Sequence, residues 1–265
     1  PYTIGVIENR AYFRDLNPQI VTLPQHFIAH GYNAVYSGKI FHGRMTDDQH
    51  SWNYEPNRTG LTRPTTVGGN ALPENQRIFA KNKARMVAIY GESSSRGLIH
   101  GPAFEAAPVE DDGYVDGYNT RVAIQPLDEL VQQDKPWFLA LGFVRPHLPF
   151  HAPKKYFDLY DPEEIQLTTF PEPPQNGASM GLHASFELRT RHGIPKSGPL
   201  NKSLSRELLH AYYACVSYVD AQIGRIITTL EKTNKRDNTF IVVWGDHGWH
   251  LGESGIWGKA TNYEI

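Results

Sequence analysis

The chain has 265 residues, 40% hydrophobic and 20% charged, which is apolar enough to build a core and argues against a disordered chain. Its formal charge of −2 and pI of about 6.7 give no electrostatic reason for a nucleic-acid partner. No apolar run approaches the roughly 20 residues needed to cross a bilayer, and the single cysteine, Cys215, excludes an internal disulfide or a cysteine-rich metal site.

The sequence opens on Pro1 rather than Met, shows no signal peptide, and stops at Ile265 directly after a motif-rich stretch. The expectation is an internal piece of a longer protein. Residues 22–31 have a capping Thr22, an early Pro24 and a terminal Gly31, and predict a short helix. A strand is expected over 33–37, closing on Gly38-Lys39. Residues 43–115 are rich in Gly, Pro, Asn and Ser with weak periodicity, and read as a long irregular excursion. Residues 117–133 predict a helix that Pro126 should kink or interrupt.

A continuous apolar run over 137–144 predicts a strand covered on both faces. Residues 150–202 carry many prolines and read as a second irregular excursion. Over 206–230, Leu208, Tyr212, Val216, Val219, Ile223, Ile227 and Leu230 recur at helical spacing, the clearest helix in the chain. Cys215 lies in that helix near its apolar face and reads as a small buried hydrophobe. Residues 239–244 then predict another buried strand. Helices alternating with buried strands indicate an α/β fold, a mostly parallel central sheet flanked by helices on both faces. No internal repeat is visible, and the whole chain reads as one domain.

In such a sheet, ligands sit beyond the carboxyl ends of the strands. Three expected strands end in polar groups: Lys39 and His42 after the first, Arg145 and His147 after the second, Asp246 and His247 after the third. Gathered together, these groups would suit a polyanion and a metal ion. Taken singly, each has a plainer reading. Asp246 in its Gly-Asp-His-Gly turn can bond its own backbone, His147 can be a turn residue beside prolines, and Lys39 can be a solvated lysine. Trp249 and Trp257 can be packing groups. Only convergence of the three strand ends would make one site.

The order of these motifs resembles a known family. Gly245-Asp246-His247-Gly248-Trp249-His250-Leu251-Gly252-Glu253, followed by Trp257-Gly258-Lys259, resembles the late metal and sulfate motif of the type I, formylglycine-dependent sulfatases of the alkaline-phosphatase superfamily, in the variant of their iduronate-2-sulfatase-like branch. The run 138–150, the Gly38-Lys39-Ile40-Phe41-His42 element and the segment 213–225 are similar to further elements of those enzymes, in the same order. Residues 43–110 and 175–200 are the least recognisable.

The resemblance implies an alkaline phosphatase/sulfatase-like fold, here an incomplete piece of the catalytic domain, and a sulfatase acting on a sulfated glycan, of the 2-O-sulfated uronic acid type. It implies that Asp246 and His247 complete a divalent cation site, calcium in the family, although an imidazole suits a hard cation less well than a carboxylate does and another divalent ion is possible. Lys39 and Lys259 would hold sulfate oxygens. His42 would bond the nucleophile and help release sulfate from it, and His147 would stand at the leaving ester oxygen as donor or general acid. Trp249 and His250 would contact the sugar.

The family nucleophile is a formylglycine made from Cys or Ser in a Cys/Ser-x-Pro-x-Arg motif. No such motif lies in residues 1–265, nor does the family's N-terminal aspartate pair. The nucleophile is therefore expected upstream of Pro1, a smaller C-terminal subdomain is expected beyond Ile265, and the piece alone is expected to be inactive. Val144 stands where relatives often carry a further histidine. A phosphomonoester or phosphodiester hydrolase of the same superfamily, or a non-catalytic glycan-binding relative, remain the alternatives. The single cysteine favours a periplasmic or secreted bacterial-type enzyme, with a lysosomal setting for an animal one.

Overall fold

The computed structural model describes residues 4–6, 11–42, 48–95, 97–259 and 261. By internal contacts the chain divides into two compact units. The first comprises residues 1–63, 116–144 and 222–239, and the second 64–115, 145–221 and 240–265.

In the first unit, α1 (Phe13–Leu16) and α2 (Leu23–Ala29) precede strand β1 (Asn33–Gly38). Thr22 caps α2 as its sequence predicts. Its hydroxyl accepts from the Gln25 amide, and the Gln25 side chain reaches back to the Thr22 amide. β1 pairs in parallel with a strand over Trp137–Gly142, from Asn33 opposite Trp137 to Gly38 opposite Gly142.

Alternation sends successive side chains of this second strand to opposite faces. Phe138 and Ala140 join Ala34, Tyr36 and Trp52, with the Phe138 ring stacked on Phe27 of α2 at 4.7 Å. On the other face Trp137 and Leu139 join Leu127 of one helix, Val131 just beyond its end and Leu230 of a second helix. The strand thus has packing on both sides, although each of its residues stays only half-buried, and it ends at Gly142. The first of those helices spans Val115–Leu130 and carries Pro126 in its interior without ending there. Proline removes one backbone donor, and packing of the buried Val122, Ala123 and Leu127 around it holds the turn.

The Val115–Leu130 helix is α4 and the Trp137–Gly142 strand is β3; in the second unit, α3 (Pro73–Ser94) precedes β2 (Phe104–Ala107). β4 (Phe150–Pro153) pairs in parallel with β2. Short helices α5 (Lys154–Phe157) and α6 (Phe186–Arg189) follow, then the long α7 (Lys202–Lys232) and a hairpin of β5 (His250–Leu251) with β6 (Trp257–Gly258). The largest core joins Phe150 and Ala152 to Leu208, Ala211, Cys215 and Tyr218 of α7, so Cys215 is the buried small hydrophobe its position suggested. The parallel pairs with their helices agree with the α/β expectation.

Sequence expectations need correction in two respects: both irregular excursions hold regular elements, with β4, α5 and α6 inside 150–202, and one expected strand does not form. The excursion over 43–115 contains the 22-residue α3 and strand β2. α3 buries none of its residues, so it leaves no apolar stripe for periodicity to detect. The second correction is sharper. Residues 240–244, expected as a buried strand, form no strand, and Phe240, Val242, Val243 and Trp244 are largely exposed. An apolar run becomes a strand only when a neighbouring edge accepts its backbone hydrogen bonds. Among the described residues none pairs with it.

Candidate active site

Glycine chemistry places Lys39. Gly38 ends β1 with φ of +78°, and a Cβ at Gly142 would sit 1.8 Å from the Lys39 carbonyl oxygen. With no side chain there, the backbone after β1 folds against the end of β3, and the Lys39 amide donates to the Gly142 carbonyl at 3.0 Å. Lys39 is therefore delivered at the carboxyl end of a parallel strand, where the fold class puts ligands. His42 follows it and is exposed. Both belong to the first unit; the other expected site residues belong to the second.

His147 sits in the turn between β3 and β4, where Arg145–Pro146 and Leu148–Pro149 are cis peptides. The Arg145 guanidinium donates to the carbonyls of His147 and Pro149 and ties this turn down. His147 Nδ1 lies 2.7 Å from the Leu148 carbonyl, which can only accept, so Nδ1 carries the proton. Nε2 is then a lone pair, and Lys259 Nζ donates to it at 2.7 Å. Burial lowers the His147 pKa below its ordinary value, and Lys259 and Arg145 push the same way against the Leu148 bond and Glu187. The ring is neutral at neutral pH.

Lys259 is held on three sides. Its ammonium is 3.0 Å from both carboxylate oxygens of Glu187 and lies 5.3 Å from the centre of the Trp249 ring. Trp249 also faces the His147 ring, 6.3 Å away. Local backbone chemistry brings these groups together. The Trp257 amide donates to Ser185 Oγ at 2.9 Å, and bare Gly258 leaves room for His183, whose Cε1 would lie 2.9 Å from an added Cβ. Glu187 stands two residues beyond Ser185, and Lys259 two residues beyond Trp257. The structure thus brings together His147, Trp249 and Lys259, and adds Glu187, which sequence reasoning missed. Glu187 lies in a segment without periodicity, 72 residues from its partner, and carries no local signal.

The remaining expected residues are placed as follows. His250 is buried in β5 opposite Gly258. Asp246 and His247 lie on an exposed turn, His247 Nε2 3.9 Å from Asp246 Oδ1, with His247 Nδ1 at the Gly248 carbonyl. A hard cation such as calcium takes six to eight oxygen ligands. Among the described residues no group of three or more His, Cys, Asp or Glu is arranged to hold a metal, so this pair does not by itself fit a calcium shell.

Further polar groups mark the same unit. His183 Nδ1 accepts from the Ser185 amide, which puts the proton on Nε2. That Nε2, the Trp249 indole nitrogen and Arg191 Nε are buried without a hydrogen-bond partner. Burial first, and then Arg145, lower the Arg191 pKa to about 10. Buried donors without acceptors suit a ligand rich in acceptor oxygens.

Set beside known proteins, residues 1–265 match the family model described as Sulfatase. The chain is 29% identical to human iduronate 2-sulfatase across 100% of its own length and 47% of that protein. It is 31% identical to a sulfatase of Formosa agariphila over 92% of its length and 45% of that protein. It spans about half the length of these relatives. A solved phosphonate monoester hydrolase of Agrobacterium radiobacter superposes with a TM-score of 0.57 at 21% identity, covering 94% of this chain and 51% of that one, a likeness of fold.

Proposed function

The chain belongs to the sulfatase family, and from that premise we propose that the whole protein hydrolyses a sulfate ester of a sulfated glycan, of the 2-O-sulfated uronic acid type. Residues 1–265 are read as one partial catalytic domain. The observation that carries the reading is Lys259 held against His147 over the face of Trp249. It combines a fixed cation for a sulfate oxygen, an imidazole for the departing ester oxygen and an aromatic surface for a sugar ring.

Each role follows from the chemistry of its group. Lys39, at the end of β1, and Lys259 offset the charge that builds on the sulfuryl oxygens. His147 Nε2 serves the leaving oxygen once it is protonated. His42 takes the nucleophile's side of the reaction, and Trp249 and His250 the sugar's. The nucleophile is assigned to a formylglycine outside residues 1–265, because these contain no Cys/Ser-x-Pro-x-Arg motif. Asp246 and His247 are the groups of this chain assigned to a divalent cation, which when bound would supply further positive charge beside the sulfate. They supply two donors of its shell.

The same reading assigns the protein to the periplasm, the exterior or, in an animal, the lysosome. Among the described residues no helix is long and apolar enough to cross a membrane. Turnover of an aryl sulfate and an aryl phosphate by the full-length protein tests the reaction. Sulfate should be the faster substrate, and Lys259→Met should lower kcat/KM by about 10²–10³. Faster phosphate turnover would move the protein to the phosphoryl branch. Sulfated-glycan binding without turnover would make it a binding relative.

A further inference from the structure

The Lys259 ammonium has three protons. One is donated to Glu187 Oε2 at 3.0 Å and one to His147 Nε2 at 2.7 Å, with Glu187 Oε1 also 3.0 Å from the nitrogen, so the ammonium is shared between the two groups. Both ends of the ion pair are largely buried, with 19% of the Lys259 and 29% of the Glu187 side chain exposed. Glu187 is not needed to fasten its own segment to β6, because Ser185 Oγ already accepts the Trp257 amide there.

Resting on the sulfatase reading of Lys259 and His147, we propose that Glu187 is a positioning residue. It holds Lys259 across the His147 ring, keeping Nε2 occupied until a bound anion draws the lysine away. An oxyanion with two charges competes for Lys259 against a carboxylate with one. When it wins, the Nε2 lone pair is exposed and takes a proton from solvent. The imidazolium then has an N–H at Nε2, while Nδ1–H stays on the Leu148 carbonyl. Donor capacity toward a leaving oxygen would arise only with the anion in place.

The charged groups acting on His147 are Lys259, Glu187 and Arg145, so the sign of a Glu187 variant is diagnostic. Loss of a mere neighbouring negative charge lowers the His147 titration midpoint. Loss of a positioning group frees Lys259 and raises it.

The experiment is a ¹⁵N-histidine titration, with the His147 signal assigned by its absence in His147→Gln. In the wild-type chain, inorganic sulfate should raise the His147 midpoint by about one pH unit. Lys259→Met should raise it similarly and abolish the sulfate response. Glu187→Ala should raise it and Glu187→Asp should return it toward wild type. A lowered or unchanged midpoint in Glu187→Ala overturns the proposal, and so does a wild-type midpoint indifferent to sulfate. The sulfate arm needs no variant, so a misfolded Glu187→Ala still leaves a decisive measurement. Aryl sulfate turnover by the full-length protein is a separate readout. Its absence with these shifts intact removes the sulfatase reading and leaves the Glu187 coupling standing.

Discussion

At the scale of single residues, Asp48 shows how far one carboxylate is shaped by partners distant in sequence. Burial by itself would raise its pKa. Hydrogen bonds from Arg14, Ser51 and Tyr12 outweigh burial and hold it at about 2, against an ordinary 3.8. Arg14 Nε and Nη2 donate at 2.6 and 2.7 Å, and the Tyr12 hydroxyl at 2.7 Å. A depressed carboxylate stabilises the fold above its unfolded pKa and loses that contribution as pH falls through its folded value. Stability measured by urea unfolding should therefore decline from pH 3.8 towards about 2. Asp48→Asn should cost about 2–3 kcal/mol at neutral pH and flatten that decline. Asp48 and Arg14 are 34 residues apart, so no local pattern announces the pair. Lys39, His147, Trp249 and Lys259 could be singled out from the sequence because each follows or sits within a recognisable motif. Glu187 could not, since its role depends on one long-range contact.

At the scale of elements, α3 depends on a cap supplied from β2. Glu105 accepts from the amides of Ala71 and Leu72 at 2.7 and 3.1 Å, from Asn75 at 2.8 Å and from the Tyr114 hydroxyl at 2.6 Å. A carboxylate there satisfies donors at the helix start and opposes the positive end of the helix dipole. Burial, followed by Glu105, raises the Tyr114 pKa, so the phenol stays protonated and goes on donating. Glu105→Gln should cost about 1–3 kcal/mol and speed exchange of the Ala71 and Leu72 amides, seen by hydrogen–deuterium exchange. The opposite case is residues 240–244, apolar and exposed. Such a segment is an association hazard. Val242→Lys should lower concentration-dependent light scattering of this chain and leave its far-ultraviolet circular dichroism unchanged. Helix and strand were both misread here for one reason. Periodicity reports a buried face, which α3 lacks, and hydrophobicity reports a need for burial, which residues 240–244 have without a paired edge.

At the scale of the molecule, the chain spans about half the length of the relatives it matches. It holds the cationic and imidazole groups of the proposed site, and no Cys/Ser-x-Pro-x-Arg motif. Residues 1–265 alone should therefore give no aryl sulfate turnover above buffer, while inorganic sulfate still shifts His147. A measurable rate from this chain would require another nucleophile. Its sequence by itself determined the family, the short capped helix and the strands β1 and β3, because these are local patterns and ordered motifs. Only the tertiary structure decided that α3 forms without an apolar face, that residues 240–244 pair with no strand among the described residues, and that Lys259 is shared between His147 and Glu187. Pairing, burial and charge sharing are relations between distant parts of a chain, and they acquire an energy only when folding brings those parts within a few ångströms.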